Sequence, residues 1–127
     1  SFESILWLGK NKKYTFNYKT LKEGQFPNDK LKFPNRQMRN VWDIPTASKE
    51  NVGHPTQKPI ALLDRLILAA TDEGDLVLDA FNGSGTTGVS CIRTHREYIG
   101  IEIDKEFIRL SKKRFSEQTK LNDKLSA

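Results

Sequence analysis

The chain has 127 residues, 36% hydrophobic and 29% charged, with a formal net charge of +5 and one cysteine. That composition fits a soluble globular domain or part of a larger one. It excludes a bilayer-spanning segment, which needs roughly 20 apolar residues in a row. Cys91 alone excludes an internal disulfide and a cysteine-built zinc site, and a reducing cytoplasm is its natural compartment. The whole positive excess lies in residues 1–53, whereas residues 54–127 balance to zero, so a polyanion is the expected partner of the first segment.

The chain opens at Ser1, its only methionine is Met38, and residues 2–8 enter an apolar run at once. Residues upstream are therefore expected. Residues 2–8 and 13–18 read as strands, the second alternating polar and aromatic residues, with Gly9-Lys10-Asn11-Lys12 as the hairpin loop between them. Residues 1–18 thus form an expected strand hairpin. Residues 19–53 are polar, contain Pro27, Pro34 and Pro45, and read as a basic loop region with little regular structure.

From His54 the pattern changes. Thr56 is positioned to cap a helix, Pro59 suits its first turn, and Ile60, Leu63, Ile67 and Ala70 fall on one face. Thr71-Asp72-Glu73-Gly74 stops it. Asp75–Asp79 reads as a short strand buried on both faces. A glycine-rich turn follows, then a helix over about 86–94, a strand over 97–103, and a last helix capped by Asp104. Residues 116–127 read as a polar tail that frays. Helix, strand, glycine turn, helix, strand, helix is a βαβ unit. It predicts parallel strands of a doubly wound, Rossmann-like α/β sheet over residues 54–115.

The turn Asp79-Ala80-Phe81-Asn82-Gly83-Ser84-Gly85-Thr86-Thr87-Gly88 carries a Gly-x-Gly-x-x-Gly pattern between a strand and a helix, and Glu102 closes the next strand. Glycines let the backbone turn and let a ligand approach the main chain, and a carboxylate at Glu102 can accept ribose hydroxyls. Two cofactor classes use such a turn. A carboxylate at Asp79 repels a pyrophosphate but suits the ammonium of a methionine moiety, which favours S-adenosylmethionine over a dinucleotide. A glycine turn without ligand is the remaining reading. His54-Pro55-Thr56-Gln57-Lys58-Pro59 opens the preceding helix, whose free N–H groups, together with Lys58, can hold a carboxylate. His54 as a general base is a weaker reading than a structural one. No metal site is expected, since only His95 could join His54.

The two blocks, His54–Pro59 and Asp79–Thr87, together resemble the amino-group DNA methyltransferases, in the β-type order that places these blocks last. The resemblance spans roughly residues 3–115. One departure is Ala80, where the family usually has proline. The resemblance implies a Rossmann-like doubly wound methyltransferase fold, incomplete here, with S-adenosylmethionine as cofactor. His54, Thr56, Gln57, Lys58, Asp79, Ala80, Phe81, Asn82, Gly83, Ser84, Gly85, Thr86, Thr87 and Glu102 would form its site. Residues 5–7, 13–18 and 36–45 look like β-type enzymes acting on adenine N6. That implies double-stranded DNA as partner, with Lys10, Lys12, Lys13, Arg36 and Arg39 on phosphates.

The family's Asp/Asn/Ser-Pro-Pro-aromatic motif, which holds a flipped base, has no match here, because the sequence contains no Pro-Pro pair. The resemblance places that motif upstream in the same polypeptide and leaves no catalytic residue in these 127. It also implies a bacterial, DNA-associated, cytoplasmic setting, with a restriction endonuclease as a possible companion. N4 of cytosine as acceptor, RNA as substrate, and a non-catalytic DNA-binding or specificity module on the same fold remain alternatives. A dinucleotide oxidoreductase is opposed by Asp79 and by the His54–Pro59 block.

Overall fold

A computed structural model describes residues 3–27 and 29–127; Ser1 and Phe2 of the expected first strand lie outside that range. Five regular elements follow one another: α1 (Ile60–Ala70), β1 (Leu76–Asp79), α2 (Thr86–Arg93), β2 (Glu97–Gly100) and α3 (Lys105–Ser126), preceded by a 3-10 turn at Ala47–Lys49.

The βαβ unit forms as the glycine turn and the apolar runs predict. β1 and β2 are parallel neighbours, with Leu76 opposite Glu97, Val77 opposite Tyr98, Leu78 opposite Ile99 and Asp79 opposite Gly100. Backbone bonds carry the pairing past the last rung, from Ile101 N–H to Asp79 and from Asn82 N–H to Ile101. β2 as a strand ends at Gly100 rather than at 103, and α2 ends at Arg93, one residue short of the expected limit.

α2 packs against both α1 and α3, and Tyr98 on β2 meets Phe115 on α3 edge to face at 5.7 Å between ring centres. One face of the sheet is therefore covered. The expectation that β1 is buried on both faces is not met: Leu76 is 58% and Leu78 63% exposed, beside exposed Ile99 and Ile101. A residue and its partner in a parallel ladder share a face, so these four form one bare apolar strip. Two strands with helices on one side bury only that side.

The first segment departs further from expectation. No strand occurs over described residues 3–18. The two arms still fold back on each other, but through rings, with Trp7 4.9 Å from Phe16 and 5.9 Å from Tyr14. Alternation of polar and aromatic residues gives a strand only where a neighbouring strand completes the ladder. Asn17 instead closes the C-terminal end of α1. Its N–H donates to the Ala69 carbonyl (2.8 Å), and its amide to the carbonyls of Leu68 (3.0 Å) and Thr71 (2.8 Å). These are carbonyls a helix end otherwise leaves without partners.

Two further corrections concern helix ends. Pro59 stands at the N-cap of α1 rather than inside it, and Thr56 does not cap; Glu50 accepts from the Ile60 N–H instead, at 3.0 Å. The expected polar tail is helical to Ser126, because Asn122 donates to the Ile92 carbonyl at 2.8 Å and so ties the last turns of α3 to the end of α2. Asp104 caps α3 as predicted, accepting from the N–H groups of Glu106 and Phe107.

Cys91 is fully buried in α2, and burial pushes its thiol up to about 11. Near neutral pH it then holds roughly a hundredfold less thiolate than an ordinary cysteine. Native chain is expected to resist a thiol-directed alkylating reagent, and denaturant to release one rapid equivalent. Fast labelling without denaturant would place Cys91 at the surface.

Candidate functional site

The glycine turn connects the carboxyl end of β1 to α2, the position at which open α/β sheets bind ligands. Asp79 ends β1. One of its oxygens accepts from the Phe81 N–H (3.0 Å) and the other from the Thr87 hydroxyl (2.6 Å), so the carboxylate is fixed across the mouth of the turn. Gly83 (φ 52°) and Gly85 (φ 81°) hold left-handed backbone, which L side chains adopt only at a cost. Phe81 stands out from the turn with 92% of its surface exposed.

The His54–Pro59 block lies against this turn. A Cβ on Gly83 would sit 3.0 Å from the His54 ring nitrogen Nε2, and the same ring packs on Phe107 of α3 at 4.3 Å between centres. Nδ1 of His54 accepts from the Thr56 N–H at 3.2 Å. Gln57 is buried and bridges both parts. Its amide oxygen accepts from the Val52 N–H and from the Ser84 hydroxyl (3.3 Å), and its amide nitrogen donates to the Glu50 carbonyl (2.7 Å). Gln57 and Ser84 thus join the two blocks. Lys58 pairs with Glu3 at 2.7 Å and the Ile60 N–H at the start of α1 donates to Glu50, so neither group stands free for a ligand carboxylate.

Glu102 reaches the turn from beyond β2. Oε2 accepts from the Gly83 N–H (2.7 Å); Oε1 accepts from Ile103 (2.8 Å) and Asp104 (3.0 Å). The amides of Asp104 and Gly83 hold its carboxyl below the ordinary carboxylate range, with the His54 side chain adding to the effect. A depressed carboxyl contributes above its ordinary range and loses that contribution as pH falls through its folded value. The brace between Glu102 and Gly83 therefore persists into acid. A carboxylate offers about four acceptor directions and three are in use. One hydroxyl can be added directly; a second requires the Gly83 amide to turn away.

Asn82, Ser84 and Thr86 face inward. Asn82 accepts from the Tyr98 hydroxyl (2.7 Å) and donates to the Gly83 carbonyl (2.9 Å). Arg114, from α3, donates through Nη1 to the Ser84 carbonyl (2.8 Å), the Ser84 hydroxyl (3.0 Å) and the Thr86 hydroxyl (3.3 Å). Burial pulls Arg114 below its ordinary value, while Glu50 and Glu117 hold it up. Arg114 lies outside the residues that the sequence marks for the site. Its signal was the helical face that Phe107, Ser111, Arg114 and Phe115 share, which the run Lys112-Lys113-Arg114 disguises as solvated charge.

Asp79, Thr87, Phe81, Gly83, Glu102 and His54 thus form an open, acidic cradle at the strand ends, with Ala80 in its backbone. An acidic set disfavours a phosphate and favours a ligand carrying cationic groups and hydroxyls. Among the described residues no cluster of three or more His, Cys, Asp or Glu could hold a metal ion.

Of the expected phosphate contacts, Lys10, Lys12, Lys13 and Arg36 are exposed. Arg39 is engaged with Glu23 (2.7 Å) and with the Lys30 carbonyl (2.7 Å). No described helix is long and apolar enough to cross a membrane.

Comparison with known proteins gives the family. Residues 1–113 match the model of a family described as DNA methylase. The chain is 43% identical over 124 residues to the type II methyltransferase M2.MboI of Moraxella bovis, covering 94% of this chain and 42% of that protein. It is 51% identical over 78 residues to the DNA adenine methyltransferase YhdJ of Escherichia coli K12, covering 59% of this chain and 26% of that protein. The chain spans less than half the length of these curated relatives. Among solved structures, that of the M1.HpyAVI–SAM complex superposes with a TM-score of 0.57 at 37% identity, over 80% of this chain and 44% of that one.

Proposed function

We propose, because this chain belongs to the DNA methylase family, that it is the cofactor-binding part of a site-specific DNA methyltransferase acting on N6 of adenine. The observation that carries the reading is the acidic cradle made by Asp79 and Glu102 around a left-handed glycine turn. Asp79 would take the ammonium of S-adenosylmethionine and Glu102 a ribose hydroxyl. Exposed Phe81 and the His54 ring would flank the ligand. When bound, S-adenosylmethionine supplies the methyl group. The residues of this chain bind and orient it, and Thr87 keeps the Asp79 carboxylate aimed. Gln57, Asn82, Ser84, Thr86 and Arg114 hold the turn in shape from behind. Lys58 would reach the methionine carboxylate only on leaving Glu3.

Adenine rather than N4 of cytosine is favoured by the similarity to a DNA adenine methyltransferase, together with the aromatic and Trp-containing segments at 13–18 and 36–45. Double-stranded DNA is the proposed partner. The polypeptide carrying the Pro-Pro-aromatic motif is the proposed catalytic complement, in a bacterial cytoplasm, with a restriction endonuclease as companion of such a system.

Calorimetry tests the cofactor assignment. The chain, joined with its catalytic complement, is expected to bind S-adenosylhomocysteine more tightly than NAD. Glu102→Ala and Asp79→Ala are each expected to weaken binding about tenfold or more, as loss of a hydrogen bond to a charged group does. Preference for NAD would remove the reading. Affinity unchanged in Glu102→Ala would leave Glu102 a structural brace for Gly83 alone.

A further inference from the structure

The basic segment between Leu21 and Asp43 has almost no regular structure, yet it is held in place. Its two arms are joined by backbone bonds, from Glu23 N–H to Arg36 (2.8 Å), from Asn35 N–H to Glu23 (3.0 Å) and from Met38 N–H to Leu21 (3.1 Å). They close a lobe whose turn is set by Asn35 in left-handed backbone, φ 65°. Arg65 enters the lobe from α1. It pairs with Asp29, the two side chains being only 4% and 5% exposed. Its guanidinium lies 4.7 Å from the Phe26 ring centre and 5.6 Å from that of Trp42. The preceding residue, Asp64, accepts from the Ser90 hydroxyl of α2. A buried ion pair adds little net stability but fixes register strongly, because breaking it strands a charge. The lobe is thereby latched to the same helices that support the glycine turn.

This latched lobe presents Lys32-Phe33-Pro34-Asn35-Arg36 at its turn. Phe33 is 50% exposed, with the Arg36 guanidinium 4.6 Å and the Lys32 ammonium 5.7 Å from its ring centre. A half-exposed ring beside two cations is matched by a partner that offers anions and aromatic faces side by side. Nucleic acid does so, through phosphates and stacked bases. Building on the DNA reading above, we propose that Phe33 is a wedge that stacks on a base step of duplex DNA, while Lys32 and Arg36 take the adjacent phosphates. Arg65 is the latch that sets its position relative to the cofactor cradle.

The test is a titration of the chain onto a fluorescein-labelled DNA duplex, followed by anisotropy at several salt concentrations. Phe33→Ala is expected to weaken binding about tenfold with an unaltered salt slope, since it removes stacking and no charge. Phe33→Trp is expected to retain the affinity. The double variant Lys32→Gln, Arg36→Gln should lower the slope of log affinity against log salt by about 1.8, about 0.9 per phosphate contact. With 2-aminopurine in the duplex, its fluorescence should rise with the parent chain and not with Phe33→Ala. Thermal melts of Phe33→Ala and parent should coincide, because Phe33 lies at an exposed turn. The proposal is overturned if Phe33→Ala binds duplex as tightly as the parent. It is also overturned if the parent binds single-stranded RNA in preference to duplex, or binds no duplex at all. Cofactor binding, measured separately, is untouched by any of these outcomes.

Discussion

Residues 1–127 alone are expected to transfer no methyl group to DNA. An exocyclic amine on adenine is a poor nucleophile, because its lone pair is delocalised into the ring, so the base must be extruded and its amino group held before it can react. The family resemblance assigns that task to a Pro-Pro-aromatic motif, and the sequence has no Pro-Pro pair. What this chain offers at the strand ends is a cradle for a cofactor, with carboxylates already committed to the turn. Labelled cofactor, duplex DNA and purified chain should give counts at background. Adding the polypeptide that carries the motif should restore them. Robust transfer by these residues alone would show that a group in the cradle, His54 foremost, does chemistry here assigned elsewhere.

The second large effect is on stability. Gly85→Ala is expected to destabilise the fold by about 2–5 kcal/mol, or to prevent soluble expression. Two costs add. A Cβ at φ 81° costs about 1–2 kcal/mol of backbone strain. The same Cβ would lie 2.6 Å from Cβ of Ser111 and 2.8 Å from the Phe115 ring, and overpacking of this kind costs about 1–3 kcal/mol and occasionally more. Gly83→Ala is the useful contrast. It meets only the His54 ring, at 3.0 Å, so α3 does not have to move, and the loss should be smaller. Denaturant melts of the two variants decide the matter; equal losses would show that backbone strain dominates and that contact with α3 counts for little.

These numbers revise what the glycines are for. From sequence they mark a turn open to a ligand, and Gly83 fits that description. Gly85 and Gly88 are small because α3 and Tyr98 press on them: a Cβ on Gly88 would come within 2.5 Å of Phe115 and 2.7 Å of Tyr98. The pattern was legible because turn, strand and helix signals are local. The left-handed backbone at Gly83 and Gly85 and the cap at Asp104 are set within a few residues. What was not legible depends on distant partners. The aromatic alternation at 13–18 needed a neighbouring strand that the described residues do not supply. Arg65 and Arg114 look in sequence like surface charge, and only packing reveals Asp29 beneath one and Ser84 beneath the other. Thr56 lost the cap of α1 to Glu50, a residue in a loop whose course no local rule predicts.

The glycine turn, α2, β2 and the first half of α3 close upon one another within residues 76–115, the Phe115 ring on α3 reaching Tyr98 on β2. Contacts so near in sequence are entropically cheap to make, since short loops close readily. This unit can therefore assemble early on the folding pathway. The Asn17 cap of α1 spans more than 50 residues, so it is expected to form after this unit. A unit closed within residues 76–115 does not depend on the side from which the rest of the polypeptide is joined, so the order of segments along a gene can change while the glycine turn keeps its shape.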